Sequence, residues 1–196
     1  MATSPWRELL QQAMQSHKHL KHSTHLQLAT VRPDGRPANR TLIFRGFVEG
    51  SDKLQFTTDS RTHKIEDIKH SPFGEICYHF TNSWEQFRIH GTLDLIGHAD
   101  YESARKSLRE KAWFDSSPRA RAAFAAPHPG HPKGSEPSEG NLQVDPNQGP
   151  LDTFCVLTLD PEEIDYYHAK DAVRILFKSS TTEIGHKVWS QQELNP

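Results

Sequence analysis

Apolar residues along the chain fall into short alternating runs separated by turn chemistry, and a few stretches switch to helical spacing. Residues 4 to 15 place Trp6, Leu9, Leu10 and Ala13 on one helical face behind Ser4, which can cap, and Pro5, which suits a first turn. Residues 25 to 31, HLQLATV, alternate apolar and polar positions. RPDGRP then supplies Pro and Asp-Gly turn chemistry, and residues 39 to 47, NRTLIFRGF, resume the pattern, so the spacing predicts a hairpin. Residues 53 to 59, KLQFTTD, read as a strand, and SRTHKIEDIKHSP as a helix with Ile65 and Ile68 inward, ended by Pro72. GEICYHF is a strand, TNSW a turn, and EQFRIHGTLDLIG a long strand with Gly91 at a bulge.

Residues 100 to 126 turn helical, with Tyr101, Ala104, Leu108, Ala112 and Trp113, then Ala122, Ala123 and Phe124, on periodic faces broken at Pro118. Residues 127 to 150 hold six Pro and four Gly with hardly a large apolar side chain, which predicts a long loop. Beyond it, residues 153 to 169 give one long strand, or a pair bent at Asp160-Pro161, and VRILFKS another; KVWSQQELNP sets Trp189 on a short strand or turn. About six strands, two substantial helices and no βαβ alternation predict a mainly β protein, an antiparallel barrel with flanking helices, as one domain over 1–196.

Charge narrows the partners. The 196 residues carry 23 Lys+Arg against 25 Asp+Glu, a formal net charge of −2, and the sequence pI is about 6.7. That disfavours nucleic acid held by bulk electrostatics but leaves room for a local basic patch on a phosphorylated small molecule. The mean hydropathy of −0.74 reflects dilution by the Pro/Gly-rich stretch. No apolar run approaches the roughly 18 residues of a membrane span, and the opening MATSPWRELLQQAMQ lacks a signal-peptide core, so the expected address is the cytoplasm, with no membrane partner. Cys77 and Cys155 lie far apart without CxxC spacing and read as free buried thiols.

Three segments carry candidate chemistry. The first, Arg40-Thr41-Leu42-Ile43-Phe44-Arg45, is a strand with a cation at each end, suited to a phosphate or planar acceptor, although an ordinary strand with solvated ends has the same look. The second runs from Phe56 and Thr57 to Arg61, His63 and Lys64, where a strand ends in hydroxyls and enters a helix with two cations: phosphate ligands, or a solvated cap. The third, Trp84 to Gly91, carries Gln86, an amide able to donate to and accept from a heterocycle edge. Among thirteen histidines, His17, His19, His22 and His25 cluster in sequence, but their spacing across a helix–strand boundary assembles no metal site, and a solvated polar face is the plainer reading. His79 and His90, on neighbouring strands, are expected to pack or hydrogen-bond within the barrel, with haem ligation as the alternative.

In this order and at these intervals, the three segments resemble the pyridoxamine 5′-phosphate oxidase-like FMN-binding split-barrel family, in its plant and cyanobacterial branch, whose members end in a Trp…Asn-Pro tail. The resemblance implies a six-stranded antiparallel split β-barrel and a homodimer with one FMN in each of two clefts at the subunit interface. It places Arg40 on the flavin-phosphate side, the backbone from Thr41 to Phe44 along the ring edge, and Arg45 where the family has a substrate-side lysine. Phe56 and Thr57 match a Tyr-Thr pair beside FMN, Gln86 a glutamine at the ring, and Arg61 and Lys64 an Arg-Lys pair on the phosphate. One residue is inserted in this segment and the two cations are no longer neighbours, so Arg61 and His63 compete for the first role.

Downstream the match departs from the family. The positions of its substrate-phosphate Tyr, Arg and Ser correspond to Trp113, Ser117 and Arg121, with one cation surviving a helical turn away; its partner-subunit Gln-Ser pair is absent near residues 126 to 128, and its closing Arg-Leu-His-Asp-Arg motif is missing. Arg174 is the basic residue left at a comparable place, with Tyr167 where a flavin-side Trp would sit. What the resemblance implies is hydride transfer from pyridoxamine or pyridoxine 5′-phosphate to FMN, with molecular oxygen as reoxidant and pyridoxal 5′-phosphate as product. No side chain is required as a strong acid or base, and none is assigned a catalytic role. The alternative is a flavin-dependent reductase, or a flavin or vitamin-B6 binding module without this oxidase activity.

Overall fold

The computed structural model describes residues 4–134 and 144–196. Its elements are α1 (Pro5–His17), β1 (His25–Val31), β2 (Pro37–Ile43), β3 (Leu54–Asp59), α2 (Lys64–His70), β4 (Phe73–Phe80), β5 (Glu85–Ile96), α3 (Ser103–Phe114), α4 (Pro118–Ala122) with a 3₁₀ turn at Ala123–Ala125, β6 (Phe154–His168), β7 (Val173–Thr181) and β8 (Lys187–Leu194). Every strand pairing is antiparallel, in the order β2-β1-β4-β5-β6-β7-β8, with β3 on the free edge of the first half of β6. The chain closes the ring past Ile43, where Arg45 N–H donates to Gln55 O at 2.9 Å and Gln55 N–H to Gly46 O at 2.8 Å. Six strands, β1 to β6, therefore make the barrel, and β7–β8 is a hairpin carried on the second half of β6.

Alternation fills the barrel. Leu26 and Leu28 on β1, Leu54 and Phe56 on β3, Ile76 and Tyr78 on β4, and Phe87 and Ile89 on β5 are buried against Trp6 and Leu10 of α1. The C-terminal hairpin joins this core through Trp189, whose ring meets Trp6 edge-on at 5.7 Å. A second cluster, Ile96, Ala112, Trp113, Phe154 and Val156, seats α3 on the starting end of β6.

Several boundaries differ from the periodicity. The second strand stops at Ile43 because the chain must leave β1 to reach β3. The second helix begins at Lys64, because Asp59 captures the preceding turn: its carboxylate accepts Arg61 N–H at 2.8 Å and its carbonyl accepts Thr62 Oγ1 at 2.8 Å. Residues 154 to 168 form one strand through Pro161, with the bulge between His90 and Gly91. Gly91 is required there, since a Cβ would lie 2.1 Å from Asp160 O. Residues 187 to 194 make a full strand, giving eight among the described residues against the six expected. Of the expected loop at 127–150, residues 135–143 lie outside the described residues, and the remainder contains no helix or strand. No helix among the described residues is long and apolar enough to cross a membrane. Cys155 is buried, Cys77 half-buried, and both are free.

Candidate functional site

Strand alternation divides the Arg40–Arg45 run between two environments. Arg40, Leu42 and Phe44 face the barrel interior, opposite Leu28, Leu26 and the core aromatics, whereas Thr41, Ile43 and Arg45 face outward and are exposed. Phe44 N–H donates to Thr24 O and Arg45 N–H to Gln55 O. The same alternation turns the main-chain groups of Thr41 and Ile43 to the open edge of β2, where among the described residues no strand pairs with them. These groups can meet the edge of a heterocycle.

Arg40 sits at the barrel's end, half-buried. It donates through Nη1 to Thr30 Oγ1 at 2.7 Å and Leu28 O at 3.2 Å, and through Nη2 to Asp67 Oδ2 at 3.2 Å. Lys64 opens α2 beside it and gives Nζ to two neutral hydroxyls, Thr62 Oγ1 at 2.8 Å and Thr58 Oγ1 at 3.1 Å. Burial pushes the Lys64 ammonium below its ordinary pKa and the Arg40 charge adds to this, while Asp59 and Asp67 oppose both. Burial likewise weighs on Arg40, with Asp67 offsetting it. Two half-buried cations in each other's field favour an anion between them. A cavity of about 560 Å³ opens against Arg40 between the β1–β2 turn and α2, lined also by Arg32, Asp34, Asn39, His63, Glu66 and Asp67. The donor set and the space fit a phosphate monoester.

His63 and Arg61 part company here. His63 lines the cavity, while the Arg61 guanidinium holds Asp59 through Nε at 3.0 Å and Nη2 at 2.7 Å and reaches the carbonyls of Ala126 and Phe124 at 2.9 and 3.3 Å. It ties the end of β3 to the 3₁₀ turn. The Phe56 side chain is fully buried in the core, so only its main chain could address a ligand; Thr57 is half-buried beside it. Gln86 faces outward from β5, with Oε1 3.8 Å from Cys77 Sγ, and shares a cross-strand row with His79 and Tyr167. Three interstrand steps separate it from β2, on the order of 14 Å along the sheet at about 4.8 Å each.

The residues expected on the substrate side do not converge. Trp113 is fully buried in the second cluster, its indole N–H on Gln148 O at 2.7 Å. Arg121 is buried against it, with Nη1 on Pro146 O at 2.9 Å, and Ser117 caps α4 by accepting Ala120 N–H at 3.3 Å. Arg174 is closed on Asp165 by two bonds, Nε at 2.9 Å and Nη2 at 2.8 Å. Only Arg45 is exposed and, among the described residues, has no ionic partner. His79 and His90 also depart from expectation: both point outward, where His90 Nδ1 lies 3.4 Å from Glu75 Oε2. His17 is buried, with Nδ1 2.7 Å from Ala13 O.

Thr30 and Asp67 were absent from the sequence argument. Both are polar residues on apolar faces, Thr30 in step with Leu26 and Leu28 and Asp67 between Ile65 and Ile68, and a buried polar group implies a partner.

Comparison with known proteins agrees with this geometry. Residues 3–97 match the family model described as pyridoxamine 5′-phosphate oxidase, FMN-binding domain. A pyridoxine/pyridoxamine 5′-phosphate oxidase 2 from Arabidopsis thaliana is 44% identical over 193 residues, 98% of each chain. A pyridoxine/pyridoxamine 5′-phosphate oxidase from Cytophaga hutchinsonii is 32% identical over 81 residues, 41% of this chain and 37% of that one. The crystal structure of a pyridoxamine 5′-phosphate oxidase-related, FMN-binding protein from Nostoc punctiforme superposes with a TM-score of 0.89 at 38% identity, covering the whole of both chains.

Proposed function

Because the chain belongs to the pyridoxamine 5′-phosphate oxidase family of FMN-binding oxidoreductases, we propose that it oxidises pyridoxamine or pyridoxine 5′-phosphate to pyridoxal 5′-phosphate, with molecular oxygen as electron acceptor. The observation that carries this reading is the pair of half-buried cations in each other's field, Arg40, which lines a cavity beside the open edge of β2, and Lys64 behind it, within a chain that aligns end to end with an oxidase. FMN, when bound, would supply the two-electron chemistry, with oxygen as final acceptor and, for the amine substrate, water entering and ammonia leaving as the aldehyde forms.

The chain's own residues bind and orient. Arg40 and Lys64 hold the cofactor phosphate, with His63 rather than Arg61 at the cavity wall. The main chain of Thr41 and Ile43 meets the ring edge. Gln86 lies too far along the sheet to reach that ring within one chain, which supports a homodimer in which the partner's Gln86 completes the cleft. Arg45, exposed and unpaired, takes the substrate side with a planar fork where a lysine would give a point charge.

The test is aerobic incubation of the purified, FMN-loaded protein with pyridoxamine 5′-phosphate, reading aldehyde and peroxide together. Equimolar formation of both is the expected result. FMN retained with neither product from either B6 phosphate supports the second reading, a flavoprotein with another substrate or a binding module. That reading draws on the engaged state of Trp113, Arg121 and Arg174, none of which presents a free cation to a substrate phosphate.

A further inference from the structure

Arg40 is held from behind by two buried groups. Thr30, 2% exposed, donates its hydroxyl to Asp67 Oδ2 at 2.7 Å; Asp67 is itself 4% exposed. With its proton directed to the carboxylate, the Thr30 oxygen accepts Arg40 Nη1 at 2.7 Å. Leu28 O takes the other Nη1 hydrogen at 3.2 Å, and Asp67 takes one Nη2 hydrogen at 3.2 Å.

A guanidinium carries five N–H donors, so three are engaged. The Nε hydrogen and the second Nη2 hydrogen have no partner among the described residues. Those two lie side by side on one edge of the fork, the arrangement that accepts two oxygens of a carboxylate or phosphate. An aspartate alone would take that edge for itself, as Asp165 does with Arg174. Here the Thr30 hydroxyl stands between carboxylate and guanidinium, so Asp67 makes one contact instead of two.

We propose that Thr30 and Asp67 are positioning residues for the cofactor phosphate: together they lock the Arg40 side chain with its Nε–Nη2 edge turned to the cavity. This rests on the reading above that FMN places its phosphate at Arg40. Neither residue touches the phosphate; both act through Arg40.

The experiment titrates the full-length, flavin-depleted protein with FMN and with riboflavin, which lacks the phosphate, following quenching of flavin fluorescence. Thr30→Val keeps the side-chain shape and strand preference while deleting the hydroxyl. The expected result is FMN affinity lowered about tenfold with riboflavin affinity within about twofold of wild type, the loss of one hydrogen bond to a charged group. Thr30→Ser restores the hydroxyl and recovers FMN binding. In an Arg40→Ala background, Thr30→Val has no further effect on FMN, since the group it positions is gone.

Asp67→Asn separates holding from neutralising. Removing a negative charge beside a phosphate tightens FMN binding if charge is all the carboxylate supplies; a holding role predicts weaker FMN binding with riboflavin unchanged. A Thr30→Val variant that loses FMN and riboflavin equally, or neither, overturns the proposal, as does an Asp67→Asn variant that binds FMN as well as or better than wild type. If Arg40→Ala itself fails to discriminate FMN from riboflavin, the placement of the phosphate is wrong and the functional reading at that end falls with it.

Discussion

Two Arg–Asp pairs, one at the end of the barrel and one on its outer face, show how the same residue types make a site in one place and a brace in the other. At the barrel end, Arg40 touches Asp67 once at 3.2 Å, lines a cavity and lies in the field of Lys64. On the outer face, Arg174 closes on Asp165 at 2.9 and 2.8 Å, with Arg88 3.7 Å from the same carboxylate and bonded at 2.6 Å to Glu75. The strong carboxylate–guanidinium geometry lies on the outer face of the sheet. The weaker contact, padded by a threonine, lies where an anion fits. Binding capacity here follows from which donors are left over.

The largest effect expected tests whether the second cluster is purely structural. Trp113→Ala removes a fully buried ring packed edge-on to Phe154 at 5.1 Å, and unfolding should lose about 3–5 kcal/mol in urea melts. FMN affinity below the melting range should not change. A stable variant with impaired pyridoxamine phosphate turnover would instead make Trp113 a substrate group and break the contrast between the two halves.

Next comes the cation itself. Arg40→Ala should lower FMN affinity about 100-fold, about 2.7 kcal/mol, while riboflavin stays within about twofold. Fluorescence titration of both flavins reads the difference directly. Equal losses for the two would move the phosphate away from Arg40.

The contrast also marks what could be read before any coordinates. Alternation located β1, β3, β4 and β5 because each buries one face only, and Gly91 announced the bulge because a chain crossing at Asp160 leaves no room for a Cβ. Arg40, Lys64 and Gln86 stood out because cations and an amide in strand context ask for a ligand. What stayed hidden depends on pairings that sequence distance does not encode. Arg61 looked like a phosphate ligand until Asp59 and two carbonyls more than sixty residues away engaged it. Phe56 sat in a motif yet points into the core, and Arg174 looked available until the turn after β6 folded it back onto Asp165. The Thr30–Asp67 link spans 37 residues and joins a strand to a helix, so only the burial of two polar side chains hinted at it.

Breaking the outer-face pair should cost stability. Arg174→Ala leaves Asp165 with Arg88 as its remaining cation, and because Arg174 is partly exposed the loss of stability at neutral pH should be modest. The hydrogen bond from Arg174 holds the Asp165 carboxyl below the usual carboxylate range. A group depressed in the folded state stabilises fully above its unfolded pKa, about 3.9, and that contribution disappears as pH falls through the folded value. The gap between wild type and Arg174→Ala should therefore be constant from pH 7 to about 5 and shrink below about 4, read as parallel melts across pH. A gap that persists at low pH would mean the arginine stabilises through packing. A fall in FMN affinity at pH 7 would mean that Arg174 joins Gln86, in whose cross-strand row it lies, at the cofactor cleft.

The smallest expected effect on cofactor binding belongs to Arg45. Its side chain is exposed and contacts no carboxylate among the described residues, so Arg45→Ala should shift stability by less than about 0.5 kcal/mol and FMN affinity by less than about twofold. If it serves the substrate side, the consequence appears elsewhere: the KM for pyridoxamine 5′-phosphate rises with kcat little changed, because a uniform binding interaction has been removed. Arg45→Lys then distinguishes fork from charge. Recovery by lysine means a point charge suffices, as in the family pattern, whereas failure to recover means the chain has come to depend on a planar two-donor contact that lysine does not offer. An Arg45→Ala enzyme whose KM is unchanged would leave no exposed cation from the first half of the chain on the substrate side, and would favour the flavoprotein reading over the B6 phosphate oxidase.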